Sequence, residues 1–128
     1  MTSISAPFAL LTIVFVFLFL LIEAGYSQDS READKIQYLI SSVETLKGAK
    51  FIRNGKTYDA RRAGDHLRLK LKAAGDQIKT AEDFIRLCAS KSSVSGEPYL
   101  IRFSDGSTKK AEVYFRNRLR EFPEKGRP

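Results

Sequence analysis

Lys50-Phe51-Ile52-Arg53-Asn54-Gly55-Lys56-Thr57-Tyr58 is the stretch whose reading decides the fold. Asn54-Gly55 supplies the two positive-φ residues that a two-residue type I′ turn requires. Phe51 and Ile52 precede the turn, and Thr57 and Tyr58 follow it. Strand-forming residues on both sides of such a turn predict a β-hairpin. Around it, the chain reads as helices and one more strand.

Upstream, Asp29 to Lys47 reads as a helix. Ile36, Leu39, Ile40, Val43 and Leu46 repeat at i, i+3, i+4, i+7 and i+10, a single apolar stripe that must dock on a core. Asp29 and Glu32 have the spacing of a capping box, and Gly48 is placed to stop the helix.

Downstream, Asp59 caps a second helix over Ala60 to Ala74. Ala60, Ala63, Leu67, Leu71 and Ala74 form its inner stripe, and Gly75-Asp76 ends it. Leu69 falls off that stripe, so it is either exposed or covered by another element. Thr80 caps a third helix with Asp83 reaching back, and Ala81, Phe84, Ile85 and Cys88 share its inner face. Ser90 to Pro98 is a polar loop, Tyr99 to Phe103 a short strand, and Asp105-Gly106 a turn. Ala111, Phe115, Leu119 and Phe122 recur at i, i+4, i+8 and i+11, which favours a last helix from Lys110 to Glu121. Val113 and Tyr114 lie off that stripe and leave a strand start near Thr108 open. The expected fold is α+β, with three to four short helices packed on a small antiparallel sheet made of the hairpin and one further strand.

The chain has 128 residues, room for one domain, and a formal net charge of +7. A single Cys excludes an intramolecular disulfide framework and a cysteine-based zinc cluster, and a single His leaves no His pair for a metal. No Gly-rich phosphate loop or paired-carboxylate motif is present, so no cofactor and no metal are expected.

Phe8 to Ile22 is apolar except for Thr12. Its length as a helix, about 22 Å, falls short of the roughly 30 Å of a bilayer core. Gly25 and Ser27 fit the small-x-small rule for signal-peptide cleavage, which would leave Gln28 first. Residues 1–27 therefore read as a signal peptide, 28–122 as the folded domain and 123–128 as a flexible tail. No Lys or Arg precedes the apolar run, and the run is long for a signal peptide, so an uncleaved N-terminal anchor stays open as the alternative. Either reading carries the domain across a membrane and argues against a nucleic-acid partner despite the basic charge.

Few residues read as chemistry. His66 has Arg62 and Lys70 as its i−4 and i+4 neighbours, and positive neighbours disfavour the imidazolium that a general base must become. Cys88 lies on an apolar face and reads as a buried, inert thiol. Ser107-Thr108-Lys109-Lys110 matches S-x-x-K, a pattern frequent by chance, and its partner motifs are missing. The hydroxyl-rich loop Ser90 to Pro98 reads either as a capped helix end or as an anion-binding nest. Basic residues crowd the second helix (Arg61, Arg62, Arg68, Lys70, Lys72), and Arg116 and Arg120 line up on the last one with Lys109 near the same face.

Four phrases occur together in order: Phe51-Ile52-Arg53-Asn54-Gly55, His66-Leu67-Arg68-Leu69-Lys70-Leu71, Thr80-Ala81-Glu82-Asp83-Phe84-Ile85, and Ala89 through Tyr99 (ASKSSVSGEPY). With that spacing the chain, from Asp34 to Phe103, resembles the YfeK-like family of small exported bacterial proteins of unknown function. Relatives tend to place a Trp at the start of the last helix, where Tyr114-Phe115 stand here. The resemblance implies export to the periplasm of a Gram-negative bacterium, or an inner-membrane anchor with a periplasmic domain, and it implies no activity.

The shared phrases direct attention to Arg53, His66, Arg68, Lys70, Ser92, Ser93 and Tyr99 as candidate ligand or partner contacts. Asn54, also within them, is explained by its turn. If the serine loop folds over the second helix, these groups make one small anion site, or they tie loop to helix by hydrogen bonds. The resulting expectation is a non-catalytic binding or accessory module of the envelope, its basic surface holding an anionic envelope component or a periplasmic protein. Membrane contact is expected only through an uncleaved N-terminal segment. Two alternatives stand beside it: an envelope interaction or inhibitor protein using a face around Leu69, Val113 and Tyr114, and a small enzyme using His66.

Overall fold

The computed structural model describes residues 30–124. The expected signal peptide or anchor, the Asp29 cap and the last residues of the tail lie outside them. The chain divides into two compact units after Arg31, and the unit Glu32–Pro128 holds the sheet and the core. Among the described residues no helix is long and apolar enough to cross a membrane.

Helix α1 covers residues 30–44. It is followed by β1 (Lys50–Arg53), β2 (Lys56–Tyr58), α2 (Ala60–Ala74), a 3₁₀ turn (Gly75–Gln77), α3 (Ala81–Cys88), β3 (Leu100–Arg102), β4 (Thr108–Lys110) and α4 (Ala111–Arg120). The strands form one sheet in the order β2-β1-β3-β4, antiparallel throughout. The hairpin is present with Phe51 opposite Tyr58, and Asn54 and Gly55 both take positive φ. β1 also pairs with β3, Phe51 facing Ile101.

The helix stripes meet the inner face of this sheet. Leu39, Ile40 and Val43 of α1, Phe84 and Ile85 of α3, Ile101 of β3 and Phe115 of α4 are buried in one cluster, with Phe51 packed against it. The buried hydrophobic residues run from Ile36 to Phe115, so a chain beginning at Gln28 contains the whole core. Caps follow the sequence reading. The Asp59 side chain accepts from the Arg62 N–H, and Thr80 and Asp83 form a complete capping box.

Two details differ from expectation. α1 ends at residue 44, three residues early. The Leu46 N–H reaches back only to the Val43 carbonyl, a tightening turn, and Gly48 takes φ +72. A β-carbon at Gly48 would lie 3.1 Å from that of Ser104, so this turn needs glycine for conformation and for space. At the other end, strand and helix both occur, one after the other. The turn at Asp105-Gly106 folds Thr108–Lys110 onto β3, and Lys110, in extended conformation, is also the first cap of α4. The sheet therefore has a fourth strand beyond the hairpin and the one further strand expected.

Candidate functional site

A cavity of about 280 Å³ opens between α2 and the sheet. Phe51, Ala63, Leu67 and Phe115 give it apolar walls, and Arg53, His66 and Tyr99 stand among them. Arg53 comes from the end of β1, where the tight turn holds it in place. His66 and Lys70 are one turn apart on α2 and so share a face. Tyr99 enters just before β3 and is buried.

These four side chains form a row. Arg53 Nη1 lies 3.4 Å from His66 Nδ1, and His66 Nε2 lies 3.4 Å from Tyr99 Oη. Lys70 Nζ donates to Tyr99 Oη at 2.9 Å and to the Lys91 carbonyl at 3.2 Å. The donor inventory assigns the protons. Arginine only donates, so Nδ1 accepts and the neutral ring carries its proton on Nε2, facing Tyr99. Tyr99 Oη then accepts from His66 and Lys70, and its own O–H is left to donate elsewhere. Burial first, and then the charges of Arg53 and Lys70, hold the His66 pKa below its ordinary value.

That shift has a sign. The unfolded chain takes up the imidazole proton more readily than the folded one. The stability owed to the neutral ring is present above about pH 6.5 and is lost as pH falls from there toward the folded midpoint. With one His in the chain, its proton NMR signal reports the site directly. The expected titration midpoint lies below that of a histidine peptide, and Arg53→Gln moves it up.

Neither Arg53 nor Lys70 has an ion-pair partner among the described carboxylates. Arg53 Nε is buried with no hydrogen-bond partner. Asp65 also lines the cavity, but its carboxylate is turned toward Arg68, at 3.9 Å. A buried donor without an acceptor costs about 1–3 kcal/mol, more when charged. Arg53 and a phenol O–H at an apolar hollow, with Lys70 bound to the same phenol from outside the lining, suit a small molecule with an acid group and an apolar body.

The other sequence candidates lie elsewhere. Arg68 pairs with Glu44 of α1, away from the row. Glu44 packs across Gly64, where any β-carbon would collide with its side chain. Ser92 is buried, and its hydroxyl accepts from Asn54 Nδ2 at 3.2 Å and from the Val94 and Ser95 N–H groups. The Val94 and Ser95 N–H groups are thereby occupied within the loop. Ser93 is exposed on the loop. The loop does meet α2, through the bond from Lys70 to the Lys91 carbonyl. Arg116 is engaged by Glu82 and Glu112.

Cys88 is buried, and burial pushes its thiol pKa up. Among the described residues no group of His, Cys, Asp and Glu is arranged to hold a metal. The apolar walls Phe51 and Phe115 and the cavity residue Arg62 were not legible as site residues, because a hollow between a helix and a sheet leaves no local pattern in the chain. Gly64 did carry a signal: a glycine inside a helix marks a close approach.

The chain is 37% identical over 84 residues, 66% of its own length, to the uncharacterized protein YfeK of Salmonella typhimurium, and the match covers 70% of that protein. No solved structure matches. The model of a family of unknown function, DUF5329, matches residues 30–123, which span both the hairpin and the row from Arg53 to Lys70, and the chain belongs to that family.

Proposed function

We propose that this protein is a non-catalytic binding module of the bacterial envelope, exported to the periplasm, that takes a small amphipathic carboxylate into the cavity beside α2. The single observation that carries the reading is Arg53: a guanidinium at an apolar cavity, with a buried Nε that has no acceptor and no carboxylate paired to it. A ligand carboxylate supplies the countercharge to the guanidinium, and the Tyr99 O–H is placed to donate to it. The cavity, about 280 Å³, stands at the small end of ligand sites. At roughly 30 Å³ of space per non-hydrogen atom it holds about nine to ten of them. Export is supported by the apolar stretch Phe8–Ile22 with its small-residue cut site.

Catalysis by His66 has less support. Its two ring nitrogens face Arg53 and Tyr99, and neither contact is a carboxylate that would orient a base.

Octanoate, which has an acid group and a body of the right size, is the probe. In a calorimetric titration of the chain beginning at Gln28, it is expected to bind with a Kd on the order of 0.1–1 mM, as the efficiency of small ligands suggests. The uncharged analogue 1-octanol should bind at least tenfold more weakly, and Arg53→Gln should weaken octanoate by about tenfold or more. Bound octanoate should also raise the His66 midpoint, because an added negative charge favours the imidazolium. Equal binding of octanol and octanoate, or no effect of Arg53→Gln, overturns the reading.

A further inference from the structure

The sheet has a second face, and it is built differently from the first. Side chains alternate along each strand, so residues opposite Phe51 and Ile101 in the alternation point away from the helices. The register places Lys50 beside Arg102, Arg102 beside Thr108, Thr57 beside Ile52, Ile52 beside Leu100, and Leu100 beside Lys110. Lys50, Thr57, Arg102, Thr108 and Lys110 are all exposed, and Ile52 and Leu100 are half-buried between them. Phe51 and Phe103 pack against the core, whereas Ile52 and Leu100 are not among the residues that do. Ile52 and Leu100 also reach the cavity beside α2, whereas Lys50, Thr57, Arg102, Thr108 and Lys110 lie outside it.

The charge on it has one sign. The four strands read KFIR, KTY, LIR and TKK, without a single carboxylate. Lys50, Arg102 and Lys110 form no ion pair among the described residues, although Arg68, Arg86, Arg116 and Arg118 all do. An open sheet face with three unpaired cations around two aliphatic side chains is complementary to an anionic surface.

The size of the face decides between such surfaces. Four strands spaced at about 4.8 Å and three to four residues long span roughly 150–200 Å². A stable protein complex needs about 800 Å² from each partner. A lipid surface has no such threshold, since each Lys or Arg near an anionic leaflet adds its own increment, about fivefold in partition. We propose that the outer face of the β-sheet docks on an anionic lipid bilayer through Lys50, Arg102 and Lys110, with Thr57 and Thr108 placed to donate to lipid phosphates. This contact uses the folded domain and does not need the N-terminal segment.

The test is co-sedimentation of the chain beginning at Gln28, free of the apolar segment, with vesicles of phosphatidylethanolamine and phosphatidylglycerol at low salt. Phosphatidylcholine vesicles serve as the neutral surface. The chain is expected to partition onto the anionic vesicles and to be released by salt. K50Q/R102Q/K110Q should reduce partition roughly 100-fold, three increments of about fivefold. R61Q/K72Q/K79Q removes the same charge from exposed positions outside the sheet and should stay within about threefold of the parent. Unchanged thermal unfolding midpoints show that both variants fold. An equal fall in the two variants shows that net charge alone binds the lipid, and overturns the proposal. So does binding that ignores phosphatidylglycerol, or capture by an acidic protein without any capture by vesicles.

Discussion

Replacing Phe84 by alanine lowers the free energy of unfolding by about 3–5 kcal/mol. Phe84 is fully buried on the inner face of α3, and its ring meets that of Phe115 edge-on, with centroids 6.4 Å apart. Leu39 and Ile40 of α1 and Ile101 of β3 are equally buried in the same cluster, so three helices and the sheet converge there. A domain of this size is stable by about 5–14 kcal/mol, so this one truncation removes about a fifth or more of the total. Collapse of α3 to fill the hole is resisted at its start by the Thr80–Asp83 capping box. Urea unfolding followed by circular dichroism gives the value. Phe84→Leu, which keeps most of the volume, is expected to cost less than about 1.5 kcal/mol. A cost for Phe84→Ala below about 1 kcal/mol would show that the aromatic pair is not at the centre of the core.

Ser92→Ala is expected to lower stability by about 2 kcal/mol and to loosen the loop from residue 92 to residue 98. Ser92 is 1% exposed, yet its hydroxyl is the acceptor for three donors, the Asn54 amide and the N–H groups of Val94 and Ser95. Its backbone is held as well, since the Ser92 N–H donates to the Glu97 carbonyl and the Gly96 N–H to that of Ser92. Removing the hydroxyl strands Asn54 Nδ2 and leaves the Ser95 hydroxyl on Asn54 Oδ1 to tie the loop to the hairpin. Amide hydrogen exchange should therefore speed up at Val94 and Ser95 while α3 stays protected. Asn54→Ala should share part of the same loss, so that the double variant costs less than the two singles added together. Full additivity would mean that loop and hairpin are held by something other than this contact. Octanoate affinity is expected to be unchanged in Ser92→Ala, because Ser92 stands outside the row of Arg53, His66, Tyr99 and Lys70.

The serine loop shows how far a chain can be read without its fold. Ser92 and Ser93 stand side by side and look alike in sequence. One is a buried anchor, and the other faces water. Arg68 and Lys70 have the same kind of history, two basic residues two positions apart on one helix. A helix turns about 200° over two residues, so they face opposite ways. Arg68 reaches Glu44 of α1, and Lys70 reaches Tyr99. The off-stripe residues divide similarly. Leu69 is 67% exposed at the cavity and Val113 is 47% exposed, while Tyr114 is half-buried with its hydroxyl donating to the Ser42 carbonyl. An interaction face built from all three would need Tyr114 to leave that bond.

Local physics was enough for the elements. The Asn54-Gly55 turn, the Asp59 and Thr80 caps, the apolar stripes of the helices and the stop at Gly75 each act within a few residues, through φ preference, orphan N–H groups and the helical repeat. Those features determined the hairpin, α2 and α3, and the α+β class. Three things were decided only in the tertiary structure. β4 pairs because β3 offers it a free edge, which settles the strand start near Thr108 that the sequence left open. The cavity is assembled from α2, the strands and α4, which bring Arg53 and His66 together. The outer sheet face is basic because pairing gathers Lys50, Arg102 and Lys110 from three separate strands onto one side, and only the register of those strands brings their charges together.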